Sequence, residues 1–234
     1  MLSIFVYLNS QILIKEILKT TDGSYTLYVP ELDETYHSTN GALQESNHVF
    51  IEAGLKFSGL KKAAVLEVGF GTGLNALTTF KETEKKELLI EFTSLEAYPL
   101  TWAEVSPLDY MNMEGYQEYS IPFEEMHSCD WGDFTPISSN FSLRKLNLKL
   151  QELTFENTFD IIYFDAFAPQ IQPELWTEDI FALMYKALKS KGVLVTYCAK
   201  GTVKRALKAV GFQLQSIPGP PGKREMSRAV KGAY

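Results

Sequence analysis

Residues 63–80 read AAVLEVGFGTGLNALTTF, and this stretch decides the fold. The apolar run 63–68 predicts a buried strand, and residues 74–80 have helical character. Between them stand the glycines Gly69, Gly71 and Gly73, which let the backbone turn sharply and approach a ligand that a Cβ atom would push away. A strand, a glycine loop and a helix in this order predict an open α/β sheet with a ligand over the loop. A tight structural turn is the plainer alternative.

Strands and helices alternate along the rest of the chain. Strand patterns occur at Leu88–Leu95, Phe141–Leu148, Phe159–Phe164 and Val193–Tyr197, and helical spacing at Trp176–Leu188 and Thr202–Val210. Such alternation predicts parallel strands joined by right-handed crossovers. The last two strands, Phe212–Ile217 and Arg224–Val230, are joined by a short Pro/Gly loop and should pair antiparallel at one edge. The sequence predicts an α/β, Rossmann-like fold with a mostly parallel seven-stranded sheet.

The region before residue 61 follows a different pattern. Tyr25–Val29 and Glu34–His37 carry strand-forming residues on either side of a turn, which predicts a hairpin. Apolar positions within Ala42–Leu55 fit a helix only moderately. We therefore divide the chain into an N-terminal extension with a hairpin and helix appendage, residues 1–60, and a main domain, residues 61–234.

Composition excludes several classes of protein. The apolar start Met1–Leu8 is far shorter than the roughly 18 residues that a membrane span requires. The two cysteines, Cys129 and Cys198, lie far apart without CxxC spacing, so neither a disulfide framework nor a thiolate metal site is indicated, and the cytoplasm is the simplest setting. No ligand-like spacing relates the histidines, and we expect no metal and surface positions for His37, His48 and His127.

The net charge of −7 argues against a protein that coats nucleic acid through its overall field. A local basic patch is nevertheless present near the C-terminus. It comprises Lys200, Lys204, Arg205, Lys208, Lys223, Arg224, Arg228 and Lys231. Composition alone leaves open whether this patch meets phosphates or is a solvated helix face followed by a tail.

The glycine spacing bears on which cofactor binds. The dinucleotide fingerprint GxGxxG would place its third glycine at position 74, where the sequence has Leu74, and this disfavours NAD. The observed GxGxG spacing suits S-adenosylmethionine (SAM), which has no pyrophosphate. Glu67, just before the loop, can accept hydrogen bonds from the ammonium group of the ligand. Glu96, at the end of the next strand, stands where a carboxylate bonds ribose hydroxyls in either cofactor class.

A second candidate site follows the strand Phe159–Phe164. This strand delivers Asp165 to its carboxyl end, where ligands of open α/β sheets bind. Phe167 and Pro169 follow in a stiff loop, so that a ring and a carboxylate can cradle a flat acceptor that bears nitrogen. Methyl transfer requires a positioned, neutral amine, and Asp165 can accept its hydrogen bond or proton. The plainer alternative is that Asp165 only caps a turn.

Several motifs together resemble the methyltransferase domain of the MnmD/MnmC family over roughly residues 20–232. They are VLEVGFGTGLN at 65–75, FDAFAP at 164–169, PELWT at 173–177 and KREM at 223–226. The N-terminal segments Tyr36-His37-Ser38, Gly41-Ala42 and Glu45-Ser46, with Val49-Phe50, are also similar. Glycine loops are common to many methyltransferases, whereas the D-x-F-A-P, P-E-x-W-T and K-R-E-M segments in this order are specific.

The resemblance implies a class I SAM-dependent methyltransferase that acts on the tRNA anticodon loop. Its substrate would be the exocyclic amine of 5-aminomethyl-2-thiouridine at the wobble position, and its product 5-methylaminomethyl-2-thiouridine. Asp165 then matches the catalytic carboxylate. The matching SAM-site residues are Glu67, Gly69, Phe70, Gly71, Gly73, Asn75, Glu96 and, where an acid is usual, Asn147. Phe167, Pro169, Lys223 and Arg224 fall where the modified base and the RNA backbone would lie.

The larger member of the family adds a flavin-dependent oxidase domain, for which this chain has no room, so we expect methylation alone. Three alternatives remain open at this stage. The first is a methyltransferase of the same fold that acts on a small-molecule amine, which the acidic balance would suit. The second is a Rossmann-like binding protein that holds its ligand without turnover. The third is an NAD-linked oxidoreductase, against which Leu74 speaks.

Overall fold

The computed structural model describes residues 4–8 and 11–232. The strands are β1 (Ile4–Leu8), β2 (Gln11–Lys19), β3 (Tyr25–Val29), β4 (Glu34–Thr35), β5 (Lys62–Val68), β6 (Leu89–Leu95), β7 (Thr135–Pro136), β8 (Phe141–Leu146), β9 (Phe159–Phe164), β10 (Leu188–Thr196), β11 (Gln213–Pro218) and β12 (Glu225–Val230). The helices are α1 (Ala42–Ser46), a π-helix (Asn47–Lys56), α2 (Leu74–Lys86), α3 (Trp102–Val105), α4 (Ser120–Ser128), α5 (Glu178–Ala187) and α6 (Gly201–Ala209). Short 3-10 helices lie at Pro30–Leu32, Ser106–Leu108, Tyr110–Asn112, Gln117–Tyr119, Leu150–Glu152 and Pro173–Leu175.

The main sheet has the strand order β11-β12-β10-β9-β5-β6-β8-β7. The central strands β10, β9, β5, β6 and β8 are parallel, which confirms the α/β class. The predicted antiparallel pairing of β11 with β12 at the edge is also confirmed. The count of seven strands is wrong, because the two-residue strand β7 pairs antiparallel with β8 and adds an eighth. A strand this short leaves no readable alternation in the sequence.

The parallel strands are buried on both faces. Val65, Ile161 and Val193 belong to one hydrophobic cluster, whereas their neighbours belong to a second cluster across the sheet. This arrangement explains the nearly continuous apolar runs that the sequence shows. Because β5, β6 and β9 run in the same direction, their carboxyl ends meet at one edge. The residues that follow these strands are therefore brought together there.

Several predicted boundaries shift by one or a few residues in the structure, and two of the shifts have a clear local cause. The helix predicted from Trp176 begins at Glu178, because the hydroxyl of Thr177 accepts a hydrogen bond from Ile180 N and caps it. The strand predicted from Val193 begins at Leu188, with an irregular register between these two residues. A β-bulge of this kind interrupts the apolar pattern that strand prediction relies on. Among the described residues, no helix combines the length and apolarity that a membrane crossing requires.

The N-terminal region forms a separate four-stranded antiparallel sheet, β1-β2-β3-β4. The predicted hairpin is confirmed, although its second strand is only Glu34–Thr35. The predicted helix Ala42–Leu55 divides into α1 and the π-helix. Gly54 explains the close packing of the π-helix on the main sheet, since a Cβ there would lie 3.0 Å from Val195 Cγ2. The division at residue 60 stays a prediction.

Candidate active site

A cleft of about 1190 Å³ opens at the carboxyl edge of the main sheet. The predicted site residues that line it are Gly69, Phe70, Gly71, Asn75, Glu96, Asp165, Phe167, Pro169, Lys223 and Arg224. Three predicted residues do not line it, namely Glu67, Gly73 and Asn147. The N-terminal region closes one side, where Tyr36, His37 and Glu45 contribute to the wall. The cleft is therefore shared between the sheet and the appendage.

The glycine loop packs closely against Asp165 on one side and Tyr36 on the other. Gly69 has φ +91°, and a Cβ on it would lie 3.1 Å from the backbone oxygen of Asp165. Gly71 has φ +51°, and a Cβ there would lie 3.3 Å from the Tyr36 ring. Both positions thus require glycine for backbone conformation and for close approach. Gly73 has φ +75° as well, but it faces α4 rather than the cleft, and a Cβ there would lie 2.7 Å from His127 Nε2.

Glu96 fastens the glycine loop to the end of β6. Its carboxylate accepts hydrogen bonds from Gly71 N at 3.0 Å and from Tyr98 N at 2.8 Å. Burial raises the pKa of Glu96. Each carboxylate oxygen retains acceptor capacity for a ribose hydroxyl. The exposed Asn147 lies outside the cleft, and its amide donates to the backbone oxygen of Glu96 at 2.9 Å, which holds this strand end.

Glu67 lies beneath the loop and is fully buried. Ser94 Oγ donates to its Oε2 at 2.5 Å, while Oε1 has no hydrogen-bond partner among the described residues. Burial raises the pKa of Glu67 well above its usual range. The glycine cradle and the Glu96 carboxylate, which line the cleft, fit a ligand that carries a ribose. The residues present therefore fit SAM, with Glu67 one layer behind the cleft wall.

Asp165 stands at the carboxyl end of β9 and is fixed by α2. Asn75 Nδ2 donates to its Oδ2 at 2.7 Å, and Ser46 Oγ donates to Asn75 Oδ1 at 2.7 Å, which sets the orientation of the amide. Burial and the charge of Glu45 raise the pKa of Asp165 to about 7, against the lowering effect of Asn75 and Lys223. A carboxylate with a pKa near neutrality suits general-base work.

Aromatic residues form the wall beside Asp165. The rings of Phe167 and Tyr36 meet edge to face at a centroid distance of 5.1 Å. The Phe167 backbone oxygen accepts a hydrogen bond from Trp176 Nε1 at 2.8 Å, which holds the loop. Tyr197 OH donates to Ala166 O at 2.9 Å and presents its ring to the cleft. A flat acceptor can therefore contact ring surfaces next to the carboxylate.

Lys223 does not extend into solvent as a free cation. Its Nζ lies 2.7 Å from Glu45 Oε1 and 3.9 Å from the centroid of the Tyr197 ring. Sequence reasoning placed Lys223 on the RNA side of the site and missed Glu45 and Tyr197 as parts of it. One signal was available for Glu45, because it stands on the apolar face of its helix, three residues after Ala42 and four before Val49.

Two histidines predicted at the surface are half-buried and packed against other groups. His37 lines the cleft, its Nδ1 lies 3.2 Å from Thr26 Oγ1, and burial lowers its pKa to about 4. His127 packs against Phe70 and Phe123 at ring-centroid distances of 5.1 and 4.8 Å, and burial lowers its pKa to about 4. The surface prediction is therefore wrong for both. Tertiary contacts with distant segments decide their positions.

The basic patch lies partly beside the cleft, since Lys200 lines it. In α6 the apolar residues Val203, Ala206 and Leu207 are buried, while Arg205 and Lys208 are exposed. Lys204 is paired with Glu225 at 2.6 Å. The helix thus presents a charged face next to the site entrance.

Comparisons with known proteins agree with this site. The family described as S-adenosyl-L-methionine-dependent methyltransferase matches residues 123–232. The chain is 29% identical to the bifunctional protein MnmC of tRNA 5-methylaminomethyl-2-thiouridine biosynthesis from Cupriavidus metallidurans, over 92% of the chain. It is 30% identical to the MnmC protein of Leptospira interrogans over 88% of the chain. The chain spans only 33% and 34% of the lengths of these two relatives.

Comparison with solved structures also finds a similar MnmC-type protein. MNMC2 from Aquifex aeolicus superimposes with a TM-score of 0.75 at 28% identity, and the match covers 94% of this chain and 71% of that one. Spermidine synthase from Thermotoga maritima matches with a TM-score of 0.57 at 17% identity over 98% of this chain and 74% of that one, which shows the fold alone. The C-terminal part of the chain thus matches the SAM-dependent methyltransferase family, and 92% of the chain is similar to MnmC, whose methyltransferase domain it corresponds to.

Proposed function

We propose that this chain methylates the exocyclic amine of 5-aminomethyl-2-thiouridine at the tRNA wobble position and forms 5-methylaminomethyl-2-thiouridine. The observation that carries the proposal is the position of Asp165, with a pKa near 7, in the same cleft as the glycine loop and Glu96. The names of the MnmC relatives supply the substrate class. The setting is the cytoplasm, and the scheme requires neither a metal nor a flavin.

The aminomethyl group carries a proton at neutral pH, and its nitrogen must lose that proton before it can act as a nucleophile. Asp165 accepts it on the carboxylate, and the freed electron pair of the nitrogen forms the new nitrogen–carbon bond. Bound SAM supplies a methyl group on a positively charged sulfur, to which the carbon–sulfur electron pair returns. The product leaves as a protonated secondary amine. Holding the amine in line with the methyl group is the main contribution of the protein.

The remaining residues have distinct roles in this proposal. Gly69, Phe70 and Gly71 hold the cofactor from the loop, and Glu96 binds its ribose. Glu67, Gly73 and Asn147 support that surface from behind, and Asn75 orients Asp165. Phe167 and Pro169 contact the modified base. A base in an RNA loop can turn out of the loop and stack on an aromatic ring such as that of Phe167. Arg224 and Lys223 face the phosphates of the anticodon loop.

The test is transfer of labelled methyl groups from SAM to total tRNA from cells that lack this protein, followed by nucleoside analysis. We expect label in 5-methylaminomethyl-2-thiouridine with the wild-type protein and none with Asp165→Ala. Measurable SAM binding without label in any tRNA nucleoside would contradict the proposal. That outcome would redirect the search to small-molecule amines.

A further inference from the structure

Glu45 is a second carboxylate in the wall of the cleft, contributed by the N-terminal region rather than by the sheet. It is 7% exposed, although α1 is only five residues long. Ser38 N donates to its Oε2 at 2.8 Å, and Lys223 Nζ donates to its Oε1 at 2.7 Å. A buried carboxylate in a short helix is costly unless a cation compensates it. Glu45 is thus a cation-binding group that faces the site.

The cation at Glu45 is an alkylammonium group on an aromatic face. Lys223 Nζ lies 3.9 Å from the centroid of the Tyr197 ring, within the range of a cation–π interaction. The hydroxyl of Tyr197 is anchored on Ala166 O, so the ring is held in place. A carboxylate and a fixed ring on two sides form a receptor for an aliphatic ammonium ion. The protonated aminomethyl group of the proposed acceptor is also an aliphatic ammonium ion.

This receptor adjoins the proposed base. Glu45, Tyr197, Lys223 and Asp165 line the same cleft, where the charge of Glu45 raises the pKa of Asp165 and that of Lys223 lowers it. The other titratable groups that interact with Asp165 are Glu67 beneath the glycine loop and Tyr197 after β10. An ammonium ion held at Glu45 would therefore lie beside the group that must take its proton.

Lys223 is free to leave this position more easily than Glu45. Its side chain is 34% exposed, whereas that of Glu45 is 9% exposed. It belongs to the loop between β11 and β12, which contains Pro220, Pro221 and Gly222 rather than packed secondary structure. A lysine ammonium on a flexible four-carbon stem can change partners with little rearrangement. Phosphates of a bound RNA would offer it an alternative partner.

We propose that Glu45 and the face of Tyr197 form the subsite for the protonated amine of the acceptor, and that Lys223 Nζ occupies this subsite until the acceptor displaces it. The inference rests on the proposed function for the identity of the acceptor, but not for the existence of an ammonium subsite. Displacement places the amine next to Asp165 and releases Lys223 toward the RNA backbone. Because the acceptor breaks the Glu45–Lys223 ion pair as it enters, its binding is coupled to the contact of Lys223 with the RNA.

The first test needs no turnover and uses propylammonium as the probe, with 1-propanol as its neutral match. Binding is followed by the NMR signal of the Trp176 indole, whose ring centroid lies 6.1 Å from that of Tyr197. Removing an internal competitor raises affinity, so Lys223→Gln should bind propylammonium about tenfold more tightly if Lys223 fills the subsite nine-tenths of the time. Glu45→Gln should lose this binding, and 1-propanol should bind to none of the variants.

Glu52→Gln is the matched control, because Glu52 forms an exposed ion pair with Lys56 at 2.6 Å on the neighbouring π-helix. It should bind propylammonium as the wild type does. Unchanged or weaker binding by Lys223→Gln, or wild-type binding by folded Glu45→Gln, would overturn the inference. Melting curves establish that each variant is folded, so a loss of binding is not mistaken for unfolding.

A second test measures kcat/KM against pH with tRNA that bears the aminomethyl base. Glu45→Gln should lower kcat/KM by about 30-fold or more, as expected for loss of one partner of a buried charge pair. It should also move the acidic limb of the profile to lower pH, whereas Lys223→Gln should move it to higher pH. Shifts in the same direction would contradict the inference. Absence of tRNA methylation by the wild type would instead contradict the proposed function, which the propylammonium titration does not depend on.

Discussion

The cleft has two halves that are built in opposite ways. The cofactor half is local in sequence, since Glu67 and the glycine loop are consecutive and Glu96 directly follows the neighbouring strand β6. The acceptor half combines residues from several segments that are distant in sequence. Its central contact joins Glu45 to Lys223, which are 178 positions apart.

The difference between the halves is also electrostatic. In the cofactor half, Glu96 accepts hydrogen bonds from two backbone N–H groups, that of Gly71 in the glycine loop and that of Tyr98. In the acceptor half, the charge of Glu45 raises the pKa of Asp165, and Lys223 lowers that pKa and pairs with Glu45. Fixed backbone donors suit a constant cofactor, whereas a mobile cation suits a site that must exchange its occupant. Changes in one half should therefore leave the other half largely intact.

The largest effect is expected for Asp165→Asn. Loss of the base should lower kcat by about 100- to 10,000-fold, while the dissociation constant of SAM changes by less than about threefold. Turnover at saturating SAM and equilibrium binding measured on the same preparation provide the check. A parallel loss of SAM binding would show that the halves are not separate.

The same substitution should stabilise the fold at neutral pH. Because burial raises the pKa of Asp165 from 3.8 to about 7, the folded state holds this proton more tightly than the unfolded chain does. Stability then falls as the pH rises between these values, so removing the charge should add up to about 4 kcal/mol above pH 7. Below about pH 4, where both states are protonated, little gain is expected. Melting curves of the wild type and the variant above pH 7 and below about pH 4 test this prediction. An equal gain in stability at both pH values would contradict it.

Glu96→Gln should affect the cofactor half alone. A glutamine offers one acceptor oxygen and one donor nitrogen, so the N–H of Gly71 or Tyr98 loses its partner. We expect SAM to bind about tenfold more weakly and kcat at saturating SAM to change by less than about threefold. Calorimetric titration with SAM and steady-state rates check this. A collapse of kcat with unchanged SAM affinity would assign Glu96 to the chemistry instead.

The smallest effect is expected for Asn75→Leu, which keeps the approximate volume but removes the hydrogen bond to Asp165 Oδ2. Because that bond lowers the pKa of Asp165, its loss should move the acidic limb of the pH–rate profile upward by less than about one pH unit. Ser46→Ala should produce a smaller shift in the same direction, since Ser46 only orients the amide. A downward shift in either variant would contradict this role.

The sequence predicts the cofactor half well because its determinants are neighbours. The apolar run before the glycines and the amphipathic helix after them fix β5, the loop and α2 without reference to the rest of the chain. The position of Asp165 can also be predicted from the sequence, because this residue directly follows the strand with the clearest apolar pattern. The edge pairing of β11 with β12 followed from a short connecting loop. Local periodicity and turn chemistry carry all of these predictions.

The remaining features depend on contacts that no local pattern encodes. Gly54 of the π-helix packs closely against β9 and β10, and His37 and His127 are half-buried by contacts with segments distant in sequence. Lys223 was recognised as basic, but its partner could not be inferred. A charged residue on an apolar helix face is the sequence feature that marks Glu45. Its role in the site is evident only from its contact with Lys223, which lies on the Tyr197 ring.

The most direct test of the two-half account is a double-mutant cycle with Glu96→Gln and Asp165→Asn, in which SAM affinity and single-turnover methyl transfer to tRNA are measured for all four proteins. The account predicts that the double variant has the SAM affinity of Glu96→Gln and the transfer rate of Asp165→Asn, with coupling below about 0.5 kcal/mol in each quantity. Strong coupling, or loss of both properties in each single variant, would contradict it.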